Sequence, residues 1–170
     1  MSLYIFDQGG TLIQPIRPLF GLPKPPTTPE EQVLYPGVWE KIGELRAAGH
    51  AIAIATNQEM VAWGKITLQQ AEELVENCAA KIGGVDAWIM CPYHPAAQLN
   101  RYLGKPVTEY ARDDFLRKPH PGMILGLIAA LKYPPEDTFM VGNKSVDRRA
   151  AKLARVRFIR AKKFFKSESK

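Results

Sequence analysis

Along the chain, short apolar runs alternate with stretches in which apolar residues recur every three to four positions. Residues 3–6, 51–55, 87–90, 138–141 and 157–159 read as strands, and residues 38–48, 68–82, 123–131 and 145–154 carry the helical period. Strict alternation of the two implies right-handed crossovers and an α/β fold, a Rossmann-like doubly wound parallel sheet with helices on both faces. In such sheets ligands bind beyond the carboxyl ends of the strands. Asp7, Thr56-Asn57-Gln58, Cys91-Pro92 and Gly142-Asn143 all fall there.

Two segments break the pattern. Residues 14–28 hold Pro15, Pro18, Pro23, Pro25 and Pro26, which exclude a helix or an interior strand. That stretch is long enough to hang over a site, and a structural spacer fits it equally. Residues 93–121, with Pro95, Pro106, Pro119 and Pro121, are expected to contribute a flap. No repeat and no helical insertion large enough for a cap domain is visible. The reading is one domain over residues 1–165, with residues 166–170 as a basic tail.

The 170 residues, 46% hydrophobic, suffice for a core. No apolar stretch nears the roughly 18–20 residues of a membrane span, and the N-terminus lacks an export pattern. Cys78 and Cys91 are too few for a disulfide framework and fit a reducing compartment. A cytoplasmic location without membrane contact is the expectation. The net charge of +6 is unevenly spread: residues 144–170 carry 11 Lys and Arg against Asp147 and Glu168, leaving the rest at −3. Such a gradient points to a polyanionic partner, although a solvated helix face with a frayed tail gives the same pattern.

The chemistry starts at Asp7-Gln8-Gly9-Gly10-Thr11, directly after the first apolar run. A carboxylate at a strand end can attack a phosphoryl or alkyl centre and form an ester, and glycines let a ligand approach closely. Three further segments follow in order: Thr56-Asn57-Gln58, Arg117-Lys118-Pro119-His120-Pro121-Gly122, and Gly142-Asn143 with Asp147. Together they resemble motifs one to four of the haloacid dehalogenase (HAD) superfamily of phosphohydrolases, in the branch of heptose-bisphosphate phosphatases, histidinol phosphatases and polynucleotide 3′-phosphatases.

The resemblance implies a phosphomonoester hydrolase with Asp7 as nucleophile, Thr56 holding phosphoryl oxygens and Lys118 offsetting charge. Asn57, Gln58 and Arg117 are then expected to contact substrate. Magnesium would be ligated by Asp7, the carbonyl of Gly9, Asn143 and Asp147. The sequence departs from the family in three places. The second Asp of motif one, which protonates the leaving group, is Gly9; help of that kind is worth roughly 10²–10⁴-fold. The first Asp of motif four is Asn143, so magnesium is expected to bind weakly. Where bacterial relatives build a zinc site from Cys and His, the chain has Cys91 and Tyr93, then Asp114 and Leu116, and no zinc is expected. His94 and His120 are read as hydrogen-bonded loop residues.

Three functions compete on these residues. A weakened phosphatase acting on a small sugar phosphate or a nucleic-acid end leads. Gly9 and Asn143 also resemble the metal-independent dehalogenases of the superfamily. Both losses fit an inactive phosphate- or nucleic-acid-binding module as well.

Overall fold

The structure, a computed structural model, describes residues 1–166, so most of the expected tail (167–170) lies outside the described residues. Five parallel strands form one sheet in the order β3-β2-β1-β4-β5: β1 (Leu3–Phe6), β2 (Ala51–Asn57), β3 (Ala87–Cys91), β4 (Thr138–Gly142) and β5 (Arg157–Arg160). The order reverses at β1, which pairs with β2 on one side and β4 on the other. A crevice opens at that switch point, beyond the carboxyl ends.

Alternation along each strand divides the core. Phe6, Ile52 and Ile54 pack against α1 (Val38–Ala47) and α2 (Leu68–Lys81), through Ile42, Leu45, Leu74, Val75 and Cys78. Leu3, Ile5, Ala53 and Ala55 face the opposite layer, α3 (Gly122–Leu131) and α4 (Ser145–Leu153), through Met123, Leu127, Ala150 and Ala151. The doubly wound sheet expected from the periodicity is the fold observed. No helix among the described residues is long and apolar enough to cross a membrane.

Three local differences from the expected pattern have physical causes. β2 runs two residues further than its apolar stretch, because Thr56 and Asn57 pair in register with Met90 and Cys91. The proline-rich segment 93–121 is not all irregular. A 3₁₀ helix spans Pro95–Leu103, Pro being tolerated in a first turn, and Nδ1 of His94 accepts from Ala96 N to cap it. A final turn, α5 (Ala161–Phe164), escapes notice in its basic surroundings, yet Phe164 and Phe165 pack on Phe6. The other proline-rich segment folds back through reciprocal backbone hydrogen bonds between Ile16 and Lys24.

Ile54 has zero exposure in the sheet, three residues before the end of β2 that feeds the crevice. Ile54→Ala should lower stability by about 2–5 kcal/mol, read as a lower urea midpoint at unchanged m-value.

Candidate active site

Register brings the site together. Phe6 lies opposite both Ile54 and Val141, so the residues that follow, Asp7, Ala55 and Gly142, are neighbours at the sheet edge, with Thr56 and Asn143 one step beyond. Asp7 N donates to Val141 O at 2.9 Å, which carries the pairing into the loop. The chain then turns tightly, the Gln8 carbonyl accepting from the amides of Thr11, Leu12 and Ile13. Gly10 has φ +81°, and a Cβ there would lie 2.2 Å from Nδ2 of Asn143, so this position admits only glycine. Gly9 is different: its φ is ordinary and a Cβ would meet nothing within 4 Å.

Behind the loop sits a buried charge triad. Lys118, 1% exposed, places Nζ 2.7 Å from Oδ1 of Asp7 and 2.7 Å from Oδ1 of Asp147, and donates to Ala55 O at 2.8 Å. The contact with Asp147 is a charge pairing whose angle falls short of a directed hydrogen bond. Oδ2 of Asp147 accepts from Lys144 N at 2.9 Å, at the start of α4. Gly142 permits this approach, since a Cβ there would stand 2.6 Å from Asp147 Cβ. Thr11 Oγ1 lies 3.3 Å from Oδ2 of Asp7 and 3.5 Å from Oδ1 of Asn143.

Burial pushes the Asp7 carboxyl above its ordinary range; Lys118 opposes the rise and Asp147 adds to it. For Lys118, burial works against the ammonium, but Asp7 and Asp147 together outweigh it and raise its pKa. One ammonium thus faces two carboxylates.

Asp7, Gly9, Thr56, Asn57, Gln58, Arg117, Lys118, Asn143 and Asp147 all line one cleft of about 460 Å³. The three expected to contact substrate have side chains engaged by the protein itself. Asn57 makes reciprocal hydrogen bonds with the backbone of Lys118, both 3.0 Å, so it positions the lysine. Gln58 donates to Oε1 of Gln8 at 2.6 Å, and Gln8 in turn to Leu74 O at 2.9 Å. Arg117 donates to Lys118 O at 2.8 Å and to Glu59 at 3.1 Å. The cleft also holds Gln8, Gln32, Lys24, Glu59 and Lys144, which sequence reasoning missed. Gln8 and Gln32 both donate to the one carbonyl of Leu74, a link across 66 and 42 residues that leaves no local signal.

The loop after β3 is held by side-chain contacts. Arg112 stacks over Tyr93 at 4.5 Å, Asp114 accepts from Leu116 N, and Thr108 bonds to Ala62 O. Burial pushes the Cys91 thiol up to about 11. His94 reaches Glu59 at 3.3 Å and His120 reaches Asp113 at 3.3 Å. Among the described residues, no group of three or more His, Cys, Asp and Glu side chains is arranged to hold a metal.

A family model described as haloacid dehalogenase-like hydrolase matches residues 27–155. The D-glycero-β-D-manno-heptose-1,7-bisphosphate 7-phosphatases of Salmonella typhi and Escherichia coli K12 are 33% and 35% identical over 124 residues, 71% of this chain. The match spans only 62% and 61% of the length of those relatives. A solved structure, D,D-heptose 1,7-bisphosphate phosphatase from B. bronchiseptica complexed with magnesium and phosphate, is similar at TM-score 0.72 and 26% identity. It aligns with 93% of this chain and 79% of that one.

Removing the shared cation strands two buried carboxylates. Lys118→Met should cost about 3–5 kcal/mol near neutral pH, measured by urea denaturation. Because the folded pKa of Lys118 is raised, its contribution is complete below the unfolded value of about 10.4 and is lost as pH rises through the folded one. The stability gap between wild type and variant should therefore narrow in strong alkali.

Proposed function

Since the chain belongs to the haloacid dehalogenase-like hydrolase family, we propose that it is a phosphoryl-group hydrolase acting through an aspartyl-phosphate at Asp7. The observation that carries this is the Asp7–Lys118–Asp147 triad at the switch point of the sheet, with Thr56 on the neighbouring strand end. Lys118 fixes Oδ1 of Asp7 and leaves Oδ2, held only by the longer contact with Thr11, to attack phosphorus. Thr56 Oγ1 and the Asn57 amide bind phosphoryl oxygens, the Gln58 amide being taken by Cys91 O, and Lys118 offsets charge on both reactants. Asn57 and Arg117 serve by holding the backbone of Lys118 in place.

Two carboxylates against one ammonium leave the triad net negative, in a cleft that Lys24, Lys144 and Arg117 also line. The donors around it are oxygens, from Asp7, Asn143 and the Gly9 carbonyl, with Asp147 behind them, and that set suits magnesium. Bound there, magnesium would supply the positive charge that offsets the phosphoryl oxygens. Neutral Asn143 in place of a carboxylate makes that binding weak. The packed contacts of the loop after β3 support its reading as zinc-free. The heptose-bisphosphate phosphatases among the relatives support a phosphorylated sugar as substrate.

Asp7→Asn keeps the size of the side chain and removes the attacking charge. Hydrolysis of acetyl phosphate should fall to background in this variant while its thermal melt stays cooperative; retained turnover refutes Asp7 as nucleophile.

A nucleic-acid end as substrate is supported by the basic end of the chain. Ten Lys and Arg side chains between Lys144 and Lys166 are exposed, and among the described residues none is ion-paired with a carboxylate. Affinity for a short DNA should drop steeply with salt through counterion release. In Arg148→Glu/Arg149→Glu/Lys152→Glu both the affinity and the salt slope should collapse. Binding that ignores salt leaves only a solvated basic face.

A further inference from the structure

The side-chain amides on the floor of the cleft form a chain whose direction is fixed by its last member. Leu74 O, a backbone carbonyl in α2, can only accept. Gln8, 3% exposed, gives it an N–H at 2.9 Å, and Gln32, 4% exposed, gives another at 2.9 Å. The oxygen of Gln32 is taken in turn by Nδ2 of Asn77 at 2.7 Å. Gln8 must therefore turn Nε2 toward α2 and Oε1 toward the cleft. Gln58 meets that oxygen at 2.6 Å and must turn its own Nε2 to it. Reversing either amide would set acceptor against acceptor or donor against donor, which is unfavourable where water cannot compensate.

The free end of this chain is Oε1 of Gln58, which is bonded to no group among the described residues while its side chain lines the cleft. Its neighbours set its place. Gln58 stands two residues after Thr56, and its Nε2 is held by the side chain that directly follows Asp7. The other amides at the cleft are committed or more remote. Asn57 is engaged at both ends by the backbone of Lys118, Oδ1 of Asn143 lies against Thr11 Oγ1, and Gln14, anchored to Leu34 O, opens the proline-rich segment with no link to Asp7 or Thr56. Lys24, Lys144 and Arg117 can only donate. Gln58 thus offers a neutral acceptor beside the place of the phosphoryl group. A phosphate oxygen, itself an acceptor, gains nothing from it; a hydroxyl does.

Resting on the reading of this cleft as the site of a phosphorylated sugar, we propose that Gln58 Oε1 accepts a hydrogen bond from a substrate hydroxyl on the carbon next to the phosphate-bearing one. Gln8 is the positioning residue that turns the Gln58 carbonyl toward that hydroxyl. The cleft then selects sugar and polyol phosphates over alkyl phosphates of the same length. A keto oxygen at the same carbon only accepts, so it meets the Gln58 carbonyl without a bond.

The test is calorimetry, with magnesium present, on butyl phosphonates, in which a methylene replaces the bridging oxygen so that no turnover intervenes. At the carbon in question they carry a hydroxyl, a keto oxygen or hydrogen alone. Wild type should bind the hydroxybutyl compound about 2–10-fold more tightly than the oxobutyl and butyl compounds. In Gln58→Leu that advantage should vanish. In Gln8→Leu the Gln58 amide loses its anchor, and the gap between hydroxybutyl and oxobutyl should narrow; a merely structural role for Gln8 would weaken all three alike and removes the positioning claim. An oxobutyl compound bound as tightly as the hydroxybutyl one overturns the proposal. So does an advantage that survives in Gln58→Leu, which assigns the hydroxyl to another acceptor such as Gln14 or Glu59, and so does failure of every phosphonate to bind. If Gln8→Leu does not fold, wild type and Gln58→Leu decide alone. The aspartyl-phosphate reading is judged separately, by acetyl phosphate hydrolysis in wild type and Asp7→Asn, and stands whichever way the phosphonates bind.

Discussion

A single ammonium shared between two buried carboxylates is the contact on which the site depends. Asp7 lies at the end of β1, Lys118 in the loop before α3, and Asp147 in the first turn of α4, and all three are almost wholly removed from water. Withdrawing three charges from water is unfavourable by several kcal/mol per ion unless the geometry is good and the remaining hydrogen-bonding groups are satisfied. The surroundings provide for this: Ala55 O takes another N–H of the lysine, Asn57 clamps its backbone from both sides, and the Lys144 amide caps Asp147. Strand ends, helix start and loop are thereby held to one geometry. The triad itself carries one negative charge in excess, and Lys24, Lys144 and Arg117 line the same cleft.

Much of this scaffold could be read from the chain because its periodicities are clean. Strand cores such as Phe6 and Ile54 lie in apolar runs, and the helices keep their apolar stripe. Asp7, Thr56, Asn143 and Asp147 were legible because they end or follow a strand or open a helix, and parallel register carries such positions to one edge; Lys118 was legible only through its Arg-Lys-Pro segment. What escaped depends on contacts that no short window contains. Asn57 looks like a substrate contact in sequence, yet its amide is satisfied by a backbone 61 residues away. The convergence of Gln8 and Gln32 on Leu74 O, and the meeting of Glu59 with Arg117 and His94, have no spacing to betray them.

Family membership settles the scaffold more firmly than the rate. The features shared with the family are those that build the triad and the crevice, and these depend on backbone register and a few buried side chains. The departures, Gly9 and Asn143, lie at the mouth of the cleft: Gly9 has open space beside it, and Asn143 meets the nucleophile loop through Thr11 and Gly10.

The two adjacent glycines make that separation concrete. Gly10 is demanded by the backbone, since its φ is left-handed and a side chain would strike Asn143. Gly9 is not: an ordinary φ and open space would accommodate a carboxyl-bearing residue without strain. Glycine at position 9 therefore reflects no steric requirement of the loop. What fixes Asp7 is strand register and the Lys118 ammonium, so the side chain at position 9 is free to change without moving the carboxylate.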